Sequence, residues 1–247
     1  MNENLVNPNE KVYFVISLII SSLVYLLLVI SCFGIVYIII GLAVAIVAQG
    51  IFIGSIKGNA IRVSGKQFPE VYQLTYKIAT QMEINPVPPI YILQAGGLLN
   101  AFATRFFGRN FVIIYSDVLE LAYEKGENAL AFVICHELAH IKRKHLVWHW
   151  LIWPSKLIPF MGNAYSRACE YTCDKFGAYY QPDGAVDGLL VLASGKKLYR
   201  ITNPKEFCDQ ADQDGGFWVW FSELLSTHPN LPKRLKALGL NIPDKSS

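Results

Sequence analysis

The chain has 247 residues, 53% of them hydrophobic, with 22 Lys and Arg against 19 Asp and Glu and five cysteines. That is enough for one globular domain plus additional apolar segments, while a net charge of only +3, dispersed along the chain, argues against a nucleic-acid partner. An odd cysteine count (Cys32, Cys135, Cys169, Cys173 and Cys208) without a small-domain framework reads as free thiols in a reducing compartment.

From Val12 to Ile56 there are 45 residues without a single Asp, Glu, Lys or Arg. A bilayer needs about 20 apolar residues per helical span, so this run predicts two spans, Val12 to Ser31 and Ile35 to Ile56, joined at "SCFG". The acidic flank of Glu3 and Glu10 and the absence of a short apolar region with a cleavage site argue against a removable signal peptide. Lys57, Arg62 and Lys66 closely follow the second span and the turn is uncharged. The positive-inside rule therefore places the N-terminus and the C-terminal body in the cytoplasm of a multi-pass cell-membrane protein. Spans without an ionisable residue speak against a conduction path.

After the hairpin, Val71, Leu74, Ile78 and Met82 recur at helical spacing within Phe68 to Ile84, and "NPVPP" ends that helix. Three strands follow, from Ile90, from Asn100 and from Asn110 to Tyr115, with a glycine turn at Gly96-Gly97, and a small antiparallel sheet is expected. A helix should run from just after Gly126 to about Trp148. The Trp-rich stretch Leu146 to Met161 reads either as an interfacial or re-entrant segment or as an ordinary buried loop and helix. A further helix is expected from Ala164 to Tyr180. Cys169 and Cys173 share a face of it, where small buried packing residues are favoured over a metal pair.

The chemistry concentrates in "HELAH", residues 136 to 140. Residues i and i+4 share a helix face, so His136 and His140 can offer two imidazole nitrogens to one zinc ion, while Glu137 can reach the water there without being a ligand. A catalytic zinc commonly takes three protein ligands. The candidate third is Glu170, with Asp174 one turn beyond, facing the same way and able to accept the outer N–H of a ligating histidine.

"HELAH" followed by "SRACEYTCD", with "LLNAFAT" before and "THPNLPKR" after, resembles the HtpX-like branch of the zinc metallopeptidases that also includes the CAAX prenyl proteases. The four motifs span residues 98 to 234 in that family's order. The resemblance implies one zinc per chain, held by His136, His140 and Glu170, with Glu137 as general base. It implies a substrate-aligning edge strand at Asn100, Ala101 and Phe102, and it brings His228 to the metal, as oxyanion stabiliser or as a latch on the open position. Arg167 and Arg234 would buttress the carboxylates of the site. Two departures stand out: Cys173 replaces the family's usual alanine, and the link between His140 and Glu170 is too short for the two further spans HtpX-type members normally carry.

The expected fold is α+β, mainly α: an N-terminal segment and transmembrane hairpin (residues 1–57), then a zincin-like metallopeptidase domain (58–247) with a small antiparallel sheet and an HExxH helix. The expected function is a membrane-anchored zinc endopeptidase working at the cytoplasmic membrane face. Its partners would be protein or peptide substrates, membrane proteins among them, and the lipid bilayer; the resemblance adds membrane-protein quality control. The competing readings are a zinc-stabilised, non-catalytic membrane adaptor and a CAAX-type processing peptidase.

Overall fold

The computed structural model describes residues 3–31, 33–96, 100–124 and 126–244, and of Ala122 the backbone alone. Cys32, Gly97, Leu98 and Leu99 of the motifs above lie outside the described residues.

Two apolar helices come first, α1 (Pro8–Ile30) and α2 (Gly34–Asn59), each with a mean hydropathy of 2.6. Asn7 caps α1 by accepting the Asn9 N–H, and proline occupies its first turn, where no N–H is needed. Both helices extend a few residues beyond the spans read from the sequence. Their large side chains face outward, Leu27 at 68% and Ile30 at 71% exposure, which neither a core helix nor a water-facing one would do. One stripe of α1 is different. Glu10, Ser17 and Ser21 lie along one face and are buried, and this face docks onto the rest of the chain. There Asn7 N–H donates to Thr172 Oγ1 at 3.0 Å and Ser155 N–H to Ser21 Oγ at 3.2 Å. Tyr13, Phe14 and Leu18 pack on Ile152, Tyr165 and Cys169.

The sheet contains β1 (Ile61–Arg62), β2 (Ile90–Leu93), β3 (Ala101–Phe106) and β4 (Arg109–Tyr115) in the order β1-β2-β4-β3. It is mixed rather than antiparallel as expected. β3 and β4 form a tight hairpin through Phe107 and Gly108, both at positive φ, but it is β4 that pairs with β2, and in parallel. The reason is burial: Val112, Ile113 and Ile114 are fully buried, so β4 takes the centre and the less buried β3 is left at the edge. α3 (Pro69–Gln81) buries Val71 and Ile78, as the spacing predicts.

After α4 (Ser116–Tyr123) comes the central helix α5 (Glu127–Lys142), buried over nearly its whole length. Two later helices, α7 (Met161–Tyr180) and α8 (Pro182–Leu198), clasp it through glycines. A Cβ on Gly177 would stand 2.6 Å from the Phe132 ring, one on Gly188 2.4 Å from it, and one on Gly184 1.9 Å from the Asn128 carbonyl oxygen. Only glycine permits this approach.

α5 stops at Lys142, earlier than the expected Trp148, because Lys144 adopts the left-handed conformation (φ 58°) and turns the chain into a separate helix α6 (His145–Leu151). A 3-10 turn (Trp153–Leu157) completes the Trp-rich stretch, which therefore forms no continuous span and leaves Trp150, Trp153 and Leu157 exposed. α9 (Pro204–Gln213), α10 (Phe217–Leu225) and α11 (Leu231–Ala237) close the fold. The chain is α+β and mainly α, an apolar hairpin followed by a mixed domain.

Candidate active site

α5 presents His136, Glu137 and His140 to a cleft of about 240 Å³, and α7 presents Glu170 to the same cleft. His136 Nε2 is 3.3 Å from His140 Nε2 and 3.3 Å from Glu170 Oε2, and His140 Nε2 is 3.2 Å from Glu170 Oε1. A tetrahedron with metal–ligand bonds of about 2.0–2.1 Å has edges of roughly 3.3 Å. The three donor groups thus stand at the mutual spacing that one zinc ion requires, and two imidazoles with a carboxylate are a donor set that suits it. Cys173, which the sequence reading took as a packing residue, also comes near: its thiol and the two histidines have donor atoms within 4.8 Å of one another. The carboxylate of Glu170 is the closer partner.

Charge reinforces the fit. Burial would raise the carboxyl pKa of Glu170 and of Asp174, but the Arg234 guanidinium and the histidines outweigh it and hold both below the usual carboxylate range. Burial would lower the His136 pKa, but the nearby carboxylates of Asp174 and Glu170, which accept from a protonated imidazole and attract its charge, carry it up to about 10. Without a metal, a proton on His136 together with Arg234 balances the two carboxylates; a bound cation would take that proton's place, since a ligating imidazole is neutral.

Arg234, on α11, donates from Nε to Asp174 Oδ2 and from Nη2 to Asp174 Oδ1, both at 2.7 Å, and its Nη1 lies 3.4 Å from Glu170 Oε2. Asp174 Oδ1 in turn lies 2.9 Å from His136 Nδ1, within ion-pair reach though off the line of a good hydrogen bond. Arg167 does not join them. It donates to the carbonyl oxygens of Glu223, Leu224 and Ser226 at 2.8–3.1 Å, satisfying the bare end of α10 and fixing the loop that carries His228. The expected carboxylate contact is corrected on this point: unpaired carbonyls at a helix C-terminus are as good a partner for guanidinium as a carboxylate is, and α10 ends beside it.

His228 reaches over the cleft with Nε2 3.6 Å from Glu170 Oε1, its side chain 61% exposed. Asn100, Ala101 and Phe102 line the opposite wall together with Ala103. The Tyr115 N–H donates to the Asn100 carbonyl. In an antiparallel pair the inward-bonding residues alternate, so with this register the main-chain N–H and C=O of Ala103 point away from β4, along the open edge above the cleft.

Sequence reasoning missed four residues around this site. Ala103 continues the edge that the NAFA motif begins. His149 lines the cleft. His145 and Glu10 lie behind His140, where Glu10, His145 and Cys169 bring three donor atoms within 4.8 Å of one another. Glu10 entered the sequence reading only as a flanking charge, yet an acidic residue at the mouth of a long apolar run was a signal that it has a partner.

Residues 65–153 and 147–240 match the family described as Peptidase family M48, the two stretches meeting in the Trp-rich segment. The chain belongs to peptidase family M48. The HtpX-like resemblance carried by the four motifs is thereby borne out. Among curated M48 relatives, the chain is similar to the plastoglobule-localized metallopeptidase 48, chloroplastic, of Arabidopsis thaliana, at 25% identity over 173 residues, which cover 62% of this chain and 49% of that protein. The chain thus spans about half the length of that relative. No solved structure matches it. M48 is a family of metallopeptidases, and the two exposed apolar helices of this chain suit a membrane anchor.

Proposed function

We propose that this chain is a membrane-anchored zinc endopeptidase, with His136, His140 and Glu170 holding the ion and Glu137 as general base, cutting extended segments of proteins at the cytoplasmic face of the membrane. The observation that carries the reading is three donor groups, two imidazoles and one carboxylate, whose nearest atoms stand 3.2–3.3 Å apart, beside Glu137 and below an open strand edge. Bound zinc supplies Lewis acidity, which polarises a carbonyl and makes water a nucleophile near neutral pH.

The chain's own residues do the rest. Glu137, next to His136 on α5 and facing the cleft, takes the proton of the attacking water and returns it to the leaving amine. Ala103 offers its outward N–H and C=O to an extended substrate, which joins the sheet as a further strand. His228 donates to the oxygen on which negative charge develops. Asp174 holds the outer nitrogen of His136, and Arg234 holds Asp174. Lys57 in the last turn of α2, with Arg62 and Lys66 just beyond it, supports a cytoplasmic position for the domain by the positive-inside rule. Substrates drawn from membrane proteins in need of removal follow from this placement and from the HtpX-like resemblance.

The test compares full-length wild type and Glu137→Gln in detergent, with zinc content measured in both and cleavage of an unfolded reporter protein followed over time. Zinc in both, with chelator-sensitive cleavage by the wild type alone, is the expected result. Equal cleavage by both would remove Glu137 from its role. Zinc in both and cleavage in neither would favour the zinc-stabilised adaptor.

A further inference from the structure

We propose that Glu10, in the first turn of α1, is a positioning residue for the metal ligand His140 and acts on it through His145. The proposal rests on the zinc-site reading above and extends it to the membrane hairpin.

An imidazole that binds a metal through one nitrogen carries its proton on the other, and the partner of that N–H fixes the ring. For His136 a carboxylate stands at that position, Asp174 Oδ1 2.9 Å from Nδ1. His140 has no carboxylate there. Its Nδ1 lies 3.1 Å from Nδ1 of His145, a side chain with no exposed surface at all.

The tautomers follow by elimination. His140 turns Nε2 toward His136 and Glu170, so its proton sits on Nδ1 and is donated to His145. His145 Nδ1 must then accept, which places the His145 proton on Nε2. That nitrogen is 3.3 Å from Glu10 Oε1. Neither His145 Nε2 nor Glu10 Oε2 has a hydrogen-bond partner among the described residues, so the imidazole and the carboxylate stand within ion-pair reach of each other, off the line of a good hydrogen bond. The charge of Glu10, itself only 4% exposed, is held by Arg143, whose Nη2 and Nε donate to Oε1 at 2.7 and 3.3 Å. The relay therefore runs from the metal face of His140 through His145 to a carboxylate at the mouth of the apolar hairpin.

The break after α5 makes the relay possible. Were the helix continuous, a residue five places on would point roughly 140° away from His140; the left-handed Lys144 folds His145 back beneath it.

The same three groups, Glu10, His145 and Cys169, invite a second reading as an ion site of their own. The tautomers decide against it. A cation on His145 Nε2 would move that ring's proton to Nδ1, where it would oppose the Nδ1–H of His140 across 3.1 Å.

The experiment measures zinc affinity by chelator competition on the metal-free full-length chain, for wild type, Glu10→Gln, His145→Phe and the double variant, and records the visible spectrum of each with cobalt in place of zinc. Each single variant should bind zinc about 10–100-fold more weakly with a shifted cobalt spectrum. The double variant should be no weaker than the poorer single one, because both cut one relay. Wild-type affinity and spectrum in Glu10→Gln would overturn the proposal, as would losses that multiply in the double variant. If Glu10→Gln does not fold, His145→Phe carries the decision, since it leaves the Glu10–Arg143 pair in place. A wild type that takes up no zinc would instead sink the zinc-site reading, a distinct outcome.

Discussion

Asp174 and Arg234 meet in a two-pronged pair, both hydrogen bonds 2.7 Å long, with Asp174 1% exposed. Sixty residues apart in sequence, they tie α11 to α7 directly behind His136. Removing one partner of such a pair leaves an uncompensated buried charge and costs about 3–5 kcal/mol. Arg234→Met should accordingly show a markedly lower melting temperature than wild type in the same detergent. Arg234→Lys should recover little of it, because an ammonium cannot form the parallel pair of bonds. A melting temperature for Arg234→Met equal to that of wild type would contradict this account of the pair.

The strand edge gives a kinetic prediction. In Ala103→Pro the outward N–H disappears while the bonds to β4, made by the alternate residues, stay intact, and proline is tolerated on an edge strand. One lost main-chain hydrogen bond to the substrate corresponds to about a tenfold loss. The expected outcome is KM raised about tenfold on a peptide substrate, with thermal stability and zinc content held. Unchanged KM would mean that substrates do not add to this edge.

His228 is the exposed member of the site. As an oxyanion donor, its removal in His228→Ala should lower kcat by about 10²–10³-fold without altering zinc content, KM or melting temperature. A rise in basal activity would assign it instead to a latch over the metal.

Helix packing offers a test independent of chemistry. At Gly184 even one methyl group would fall 1.9 Å from the Asn128 carbonyl oxygen, main chain that no rotamer change can move aside. Overpacking costs about 1–3 kcal/mol, so Gly184→Ala should melt several degrees lower, whereas Gly41→Ala, in open space on α2, should melt with the wild type.

What could be read from the sequence was what depends on one element. His136 and His140 share a face because they are one turn apart on a single helix, as are Glu170 and Asp174, and the apolar hairpin is a matter of composition. Pairings between distant elements were less legible. The parallel match of β2 with β4 depends on which strand best fills the centre of the sheet, not on either strand's own pattern. Arg167 was expected on the site carboxylates and instead holds helix-end carbonyls, since nothing in the sequence links α10 to it. The helix break at Lys144 has neither glycine nor proline to announce it. Without that break His145 seemed one more residue on a long helix, and Glu10, 133 residues before Arg143, had no visible partner.

The polar stripe on α1 has a consequence for reach. At 1.5 Å per residue, Ser21 lies about 16 Å further along the helix than Glu10, roughly half the thickness of a hydrocarbon core. With α1 upright in a bilayer, the hydrogen bond from Ser155 to Ser21 sinks Trp153 and Leu157 toward the midplane, while His140, tied to Glu10, stays level with the headgroups. The hairpin then works as a depth gauge. On the proteolytic reading proposed above, it would set the height at which a peptide bond can be cut, so that distance from the lipid surface, as much as residue preference, would decide which bond in a substrate is broken.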